Sequence, residues 1–227
     1  MNILAIDTSA LTATAAILAD VVLLGEISIT TKLTHSQTIM PMIDELLKRV
    51  SLDISDIDLF ACSEGPGSFT GLRIGIGTIK GLAYGLDKPV CGVSTLEALA
   101  HNIAFTPYTV SPIMDARRGQ VYNALYKWQG ESLFCTEEPR ALSIEELCAE
   151  ITEKTVFVGD GVKVHRDKIK ELLGDNALFA PPQHLLQRAS SVAFAAQGKK
   201  SISAAELSAV YLRKPQAERE REEKEGI

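Results

Sequence analysis

Apolar residues along this chain fall into two patterns, short runs with strand character and longer stretches with helical spacing. The short runs have the length and the β-branched content of buried or half-buried strands. They lie at residues 2–6, 13–18, 21–29, 57–63, 89–93, 109–114, 120–127, 132–135 and 155–158. Residues 36–50 and about 69–86 repeat apolar positions at i, i+3, i+4 and i+7, which predicts two amphipathic helices. The pattern therefore predicts an α/β protein.

Three further helices are predicted from the residues at which they begin. Ser94 and Ser143 each stand three positions before a glutamate, which is the capping-box pattern of a helix start. Ser190 or Ser191 is placed to cap a last helix that ends near Gly198.

The order of these elements occurs twice, as strand, aspartate, antiparallel meander, helix, strand and glycine. Asp7 ends the first strand, and Asp115 ends the strand at 109–114. Two lobes of this kind are typical of the actin/Hsp70/sugar-kinase architecture, a ribonuclease-H-like fold in which both aspartates face a cleft between the lobes. We therefore expect tandem βββαβα-type lobes, although each aspartate could equally be a turn residue that ends a strand. The residues expected at the cleft, as a vestigial nucleotide site, are Asp7, Thr8, Ser9, Asp115, Gly159 and Gly161.

The predicted domain division follows from this repeat. An N-terminal lobe comprises residues 1–105 and a C-terminal lobe residues 106–213, with the last helix placed to pack back on the first lobe. Residues 214–227 form a charged tail, because residues 218–225 alternate acids and bases with no apolar residue.

The helix at about 69–86 contains most of an unusual glycine cluster. Seven of the sixteen glycines lie between Gly65 and Gly85. Because glycine in a helix costs about 1 kcal/mol relative to alanine, we expect another backbone to pack closely against this helix. The arc of small residues beside its apolar stripe is Gly71, Gly75, Thr78, Gly81 and Gly85. Phosphate binding by the amides of residues 67–70 is the alternative interpretation, although the P-loop and dinucleotide fingerprints are absent.

Composition narrows the class of function. The 227 residues carry a formal net charge of −6 with no basic cluster before the tail, so the chain is not expected to bind nucleic acid strongly by itself. No apolar run approaches the roughly 20 residues of a membrane helix, and we expect a cytoplasmic protein. The four cysteines and four histidines have no metal-ligand spacing, so neither a metal nor a cofactor is expected.

Five segments together match one family pattern, with the glycine-rich block the most specific of them. They are Ile3-Leu-Ala-Ile-Asp-Thr-Ser9, His35-Ser36, Gly65-Pro-Gly-Ser-Phe-Thr-Gly-Leu-Arg-Ile-Gly75, Asp115-Ala-Arg117 with Val121-Tyr122, and Tyr211-Leu-Arg213. The chain resembles the TsaB (YeaZ) family, non-catalytic paralogues of TsaD, over residues 1 to about 213. Ala209 departs from the pattern, because the family commonly has proline there.

The resemblance implies a scaffold subunit in the synthesis of threonylcarbamoyladenosine in tRNA, beside the anticodon. TsaD transfers threonylcarbamoyl from threonylcarbamoyl-AMP to adenosine N6, and the ATPase TsaE acts through the TsaB–TsaD complex. The resemblance also implies a heterodimer with TsaD through the two long helices, a homodimer of the chain alone, and tRNA binding only within the complex. The interface residues expected from it are His35, Ile39, Met42, Ile43, Leu46, Gly71, Gly75, Thr78, Gly81 and Gly85.

Two enzymatic functions remain as alternatives, and no catalytic residue is assigned for either. An ATP-binding, kinase-like protein fits Asp7 and the glycine loops, but Thr8 and Ser9 stand where such kinases often have basic phosphate contacts. A glycoprotease-like metallopeptidase would need metal ligands or a nucleophile motif, and neither can be recovered from the spacing.

Overall fold

The computed structural model describes residues 1–213, which form two five-stranded sheets with six helices. The first half contains β1 (Asn2–Asp7), β2 (Thr12–Ala19), β3 (Val22–Thr30), α1 (His35–Val50), β4 (Leu59–Gly65), α2 (Phe69–Leu86), β5 (Val90–Ser94) and α3 (Thr95–His101). The second half contains β6 (Thr109–Asp115), β7 (Gln120–Gln129), β8 (Ser132–Ser143), α4 (Ile144–Glu150), β9 (Thr155–Val158), α5 (Gly161–Leu173), β10 (Ala177–Phe179) and α6 (Ala189–Ala196).

The two sheets have the same arrangement around their central strands. The strand orders are β3-β2-β1-β4-β5 and β10-β9-β6-β7-β8. β1 runs antiparallel to β2 and parallel to β4, and β6 likewise runs antiparallel to β7 and parallel to β9. Asp7 and Asp115 therefore end equivalent strands, and the predicted two-lobed α/β fold is confirmed.

Some local predictions are confirmed by the structure, and others differ from it. The capping box at Ser143 is confirmed, because its Oγ accepts from the Glu146 backbone N–H at 3.1 Å. The predicted helix start at Ser94 is confirmed, because Ser94 is the N-cap residue of α3; the capping box itself is wrong, since the Ser94 side chain makes no cap hydrogen bond. β8 is longer than expected, and α5 and β10 were not predicted at all. Most of α5 is polar and it contributes few apolar side chains to the core, mainly Val162 and Ile169.

The first sheet has a hydrophobic layer on each of its faces. Helices α1 and α2 cover one face, on which Ile39, Leu46 and Ile79 are buried. The other face packs against α6, which follows the second sheet in sequence and returns to contact β1 and β2. The core of the first sheet therefore includes a helix from the far end of the chain.

A partly buried ion pair fixes the start of α6 on β3. Arg188 Nε donates to Glu26 Oε2 at 3.0 Å, and the backbone N–H of Ser190 donates to Glu26 Oε1 at 2.9 Å. The helix begins at Ala189 and Glu26 accepts from its first turn, so the prediction that Ser190 or Ser191 caps it is wrong. Negative charge at this end also suits the helix dipole.

We expect Glu26→Ala to lower the free energy of unfolding by about 2–4 kcal/mol, because it leaves a half-buried guanidinium and a helix terminus without their acceptor. Urea unfolding of the purified chain measures this. The matched control is Glu45→Ala, which removes an exposed i,i+4 pair with Arg49 and should change stability by about 0.5 kcal/mol or less. Equal effects of the two substitutions would contradict this role of Glu26.

Candidate functional site

Asp7 lies beneath the cleft between the two sheets, with both carboxylate oxygens engaged by neighbouring side chains. Its Oδ1 accepts from the Ser9 backbone N–H at 2.8 Å and from Ser9 Oγ at 2.7 Å, and its Oδ2 accepts from Ser63 Oγ. Burial raises the pKa of the Asp7 carboxyl above its usual range, while the bonds from Ser63 and Ser9 oppose the rise. Asp7 therefore holds the β1–β2 turn in place.

The glycines at the start of α2 serve the contact between that helix and β1. Thr8 Oγ1 donates to the Gly71 carbonyl at 2.8 Å, and the Ser68 N–H donates to the Ser9 carbonyl at 2.7 Å. A Cβ on Gly71 would overlap the Thr8 carbonyl oxygen, and one on Gly75 would overlap Thr8 Oγ1. The prediction that Gly71 and Gly75 leave room for a partner protein is therefore wrong, because they leave room for the chain's own backbone.

The second half brings Asp115, Asp160 and His165 together at the end of β6. His165 Nε2 is 3.9 Å from Asp115 Oδ1, and it is buried without a hydrogen-bond partner within the described residues. Burial raises the pKa of Asp160 to about 6; backbone hydrogen bonds lower it, and the nearby Asp115 charge raises it further. Sequence reasoning missed Asp160 and His165, because a single aspartate between glycines and one histidine carry no spacing signal.

Gly159 and Gly161 allow this turn to pack against β6. A Cβ on Gly161 would stand 2.9 Å from the Ile113 carbonyl oxygen, and one on Gly159 would overlap the same atom. Gly159 also has a φ of 108°, which side chains rarely tolerate. Both predicted glycines thus lie beside Asp115, and their observed contacts are with β6.

A cleft of about 740 Å³ separates the ends of the two central strands. Ser9, Ser68, Asp115, Asp160 and Arg213 are on its walls, whereas Asp7 and Thr8 are sealed below it. Among residues 1–213, no group of three or more His, Cys, Asp or Glu side chains is arranged to hold a metal ion. The cleft can accept hydrogen bonds through its carboxylates and donate them through Lys32 and Arg213.

The apolar residues of α1 named as interface positions face the interior. Ile39, Met42, Ile43 and Leu46 are all buried in the core beneath α1. The prediction that these side chains contact a partner is therefore wrong, because their helical stripe is fully used by the first sheet. His35 Nε2 lies 2.7 Å from the Ala10 carbonyl oxygen and ties the start of α1 to the β1–β2 turn.

The outward side of α2 carries a second set of glycines. Gly77, Gly81 and Gly85 are exposed, and a Cβ on any of them would meet nothing within 4 Å. Tyr84 lies among them with 83% of its surface exposed. Thr78 is half-buried and donates to the Ile74 carbonyl of the same helix at 2.9 Å. We call Gly77, Gly81, Tyr84 and Gly85 the glycine face. Gly77 was missed because the predicted arc was centred closer to the core than the exposed face of the helix is.

The sheets, the cleft and the paired aspartates define a two-lobed α/β protein of the actin/Hsp70/sugar-kinase class. The model of the TsaD family, tRNA N6-adenosine threonylcarbamoyltransferase, matches residues 24–220. The tRNA threonylcarbamoyladenosine biosynthesis protein TsaB of Bacillus subtilis is 34% identical over 221 residues, covering 96% of each chain. TsaB of Escherichia coli is 32% identical, covering 94% of this chain and 95% of that one. The chain belongs to the TsaB family.

Solved structures agree with this assignment. The structure of YeaZ from Pseudomonas aeruginosa superposes with a TM-score of 0.79 at 28% identity, covering 93% of this chain and 99% of that chain. Within the part of the chain that the structure describes, none of the helices has the length and apolarity needed to cross a membrane.

The two sets of glycines should respond oppositely to alanine. Gly71→Ala should lower the free energy of unfolding by about 1–3 kcal/mol through overpacking against Thr8. Gly81→Ala, on the same helix, should raise it by about 0.5–1 kcal/mol through helix propensity. Chemical unfolding of each variant distinguishes the two environments. A stable Gly71→Ala protein would show that the β1–α2 contact is looser than described.

Asp160 should make stability depend on pH. Because its pKa in the folded chain is about 6 and its ordinary value is 3.8, folding is favoured most when the carboxyl is protonated. This contribution is complete below about pH 4 and is lost as the pH rises through about 6. Asp160→Asn should therefore stabilise the chain at pH 7 by about 1–2 kcal/mol, allowing for partial exposure, and by much less near pH 4.5.

The measurement is the difference in unfolding free energy between Asp160→Asn and the natural chain across this pH range. Asp167→Asn, at an exposed position of α5, is the matched control and should show no such trend. A difference that does not vary with pH would contradict the assignment.

Proposed function

We propose that this chain is a non-catalytic partner subunit in the synthesis of threonylcarbamoyladenosine in tRNA. It pairs with TsaD, which transfers threonylcarbamoyl from threonylcarbamoyl-AMP to adenosine N6. TsaE and tRNA engage the pair rather than this chain alone, the chain alone forms a homodimer, and the complex works in the cytoplasm. Membership of the TsaB family is the starting point of this proposal.

The observation that carries the proposal is the glycine face of α2. Three glycines on the solvent side of one helix each lower helix propensity, and a Cβ added to any of them would meet nothing within 4 Å in the described chain. A face of this kind allows another helix to approach closely. Helix α1 contacts α2, and its Met40 side chain is exposed.

The chemistry of the cleft supports a role without catalysis. Asp7 is buried and bonded to Ser9 and Ser63, so it has no free oxygen to offer a ligand. Asp115 and Asp160 do line the cleft, but no group of three or more metal-ligating side chains is found in residues 1–213. We therefore interpret the cleft as the vestige of a nucleotide site, with TsaD supplying the chemistry.

Gly81→Leu tests the proposed pairing. The substitution should keep or slightly raise the melting temperature of the dissociated chain, because leucine favours a helix and the position is open. It should weaken binding to TsaD at least about tenfold through overpacking of the helix contact. Binding is measured by titration calorimetry and activity by threonylcarbamoyl transfer in a reconstituted TsaB–TsaD–TsaE mixture.

The matched control is Asp167→Leu, which adds the same side chain to an exposed helix position in the other half of the chain. It should leave TsaD binding unchanged. Full binding by Gly81→Leu would place the partner elsewhere and overturn the proposed interface. Transfer activity by this chain without TsaD would overturn the non-catalytic role.

A further inference from the structure

The segment that follows α6 is fixed along the first lobe over its whole described length. We call residues 198–213 the strap. Val90 and Ile202 exchange two backbone hydrogen bonds of 2.9 Å, which adds the strap to the edge of the first sheet at β5. Leu207 is buried in the core, and Lys80 Nζ donates to the carbonyls of Ala205 at 3.1 Å and Leu207 at 2.9 Å. The strap therefore has a defined path toward the cleft.

The end of the strap is held against the beginning of α2. The Val210 N–H donates to the Glu64 carbonyl at 2.7 Å. The Tyr211 ring stacks on Phe69 with centroids 4.9 Å apart, and the Arg73 guanidinium lies 3.8 Å from the Phe69 centroid. Arg73 Nε also donates to Tyr211 Oη at 3.2 Å. A ring stack and two hydrogen bonds thus converge on Val210 and Tyr211, and the cation–π contact of Arg73 holds the Phe69 ring on which Tyr211 stacks.

From this anchored position the strap reaches across to the second lobe. Arg213 Nη1 donates to the Ala116 carbonyl at 3.4 Å, on the loop of residues 116–119 between β6 and β7. That loop has an uncommon backbone, with φ values of 63° at Arg117, 54° at Arg118 and 74° at Gly119. Left-handed arginines are disfavoured and persist only where the surroundings hold them. The strap supplies one such constraint, at the first residue of the loop.

We propose that residues 210–213 act as a latch between α2 and the loop of residues 116–119, and so control the geometry of the cleft. The loop begins directly after Asp115, which faces Asp160 across the turn into α5. Holding Ala116 therefore holds one wall of the cleft. Release of the latch removes this constraint on Ala116, so the loop opens more often and the cleft widens without unfolding of either sheet.

Hydrogen exchange of the full-length chain tests the latch directly. The informative amides are Ala116, Arg117 and Gln120, which donate respectively to the Gln120 carbonyl, Asp115 Oδ1 and the Arg117 carbonyl. In Arg213→Ala and Tyr211→Ala we expect these amides to exchange about five- to tenfold faster than in the natural chain. Tyr211→Phe keeps the ring stack and loses the hydroxyl, so it should have a smaller effect.

The matched control is Lys200→Ala, which removes an exposed cation from the beginning of the strap and should leave loop exchange unchanged. Trypsin cleavage after Arg117 and Arg118 provides a second readout, and it should accelerate in the same variants. If the loop amides of both Arg213→Ala and Tyr211→Ala exchange at the same rate as in the natural chain, the proposal is overturned. Faster exchange spread evenly over both sheets would also overturn it, because that result indicates lost global stability.

Discussion

The close approach of the first strand to the second helix is the contact on which the rest of this structure depends. Thr8 bonds to the Gly71 carbonyl, and Ser9 accepts from the amide of Ser68. Only residues without a Cβ allow this approach at Gly71 and Gly75. It fixes the β1–β2 turn, the start of α2 and the wall of the cleft together. It also fixes which side of α2 remains in solvent.

Helix α2 consequently has different neighbours on its successive sides. Leu72, Ile76 and Ile79 fill the core, and Gly71 and Gly75 face β1. A third side contacts the strap through Arg73 and Lys80, and the fourth is the glycine face. Because all four sides belong to one rigid helix, a protein bound at the glycine face would lie next to the strap contacts. This arrangement links the proposed partner surface to the cleft in space.

The sequence predicted the fold well because its signals are local or repeated. Strand runs, the period of α2 and the two aspartates at equivalent strand ends were sufficient for two lobes. The side of α2 that each glycine faces was not predictable, because Gly71 and Gly81 differ only in what the folded chain brings near them. The same reason applies to Ile39 and Leu46. Periodicity places them on a contact face, but it does not show whether that face meets this chain's own sheet or a partner protein. Glu26 and Arg188 lie 162 residues apart, so no local sequence pattern predicts their ion pair.

The two lobes differ most at their equivalent aspartates, and this difference bears on what the cleft can do. Asp7 is satisfied by three donors and is buried, so its role is to close the turn on which Thr8 and Ser9 stand. Asp115 lines the cleft, as Asp160 does. It also lies near His165 Nε2, which has no hydrogen-bond partner in residues 1–213. A phosphate-transfer site would need both strand ends to face the ligand with cations or metals between them. Here one end is structural, so a ligand in the cleft would meet the two carboxylates of the other end beside Lys32, Arg117 and Arg213. The contacts of β1 and the strap hold α2 in one position, which is what the proposed role as a partner subunit requires.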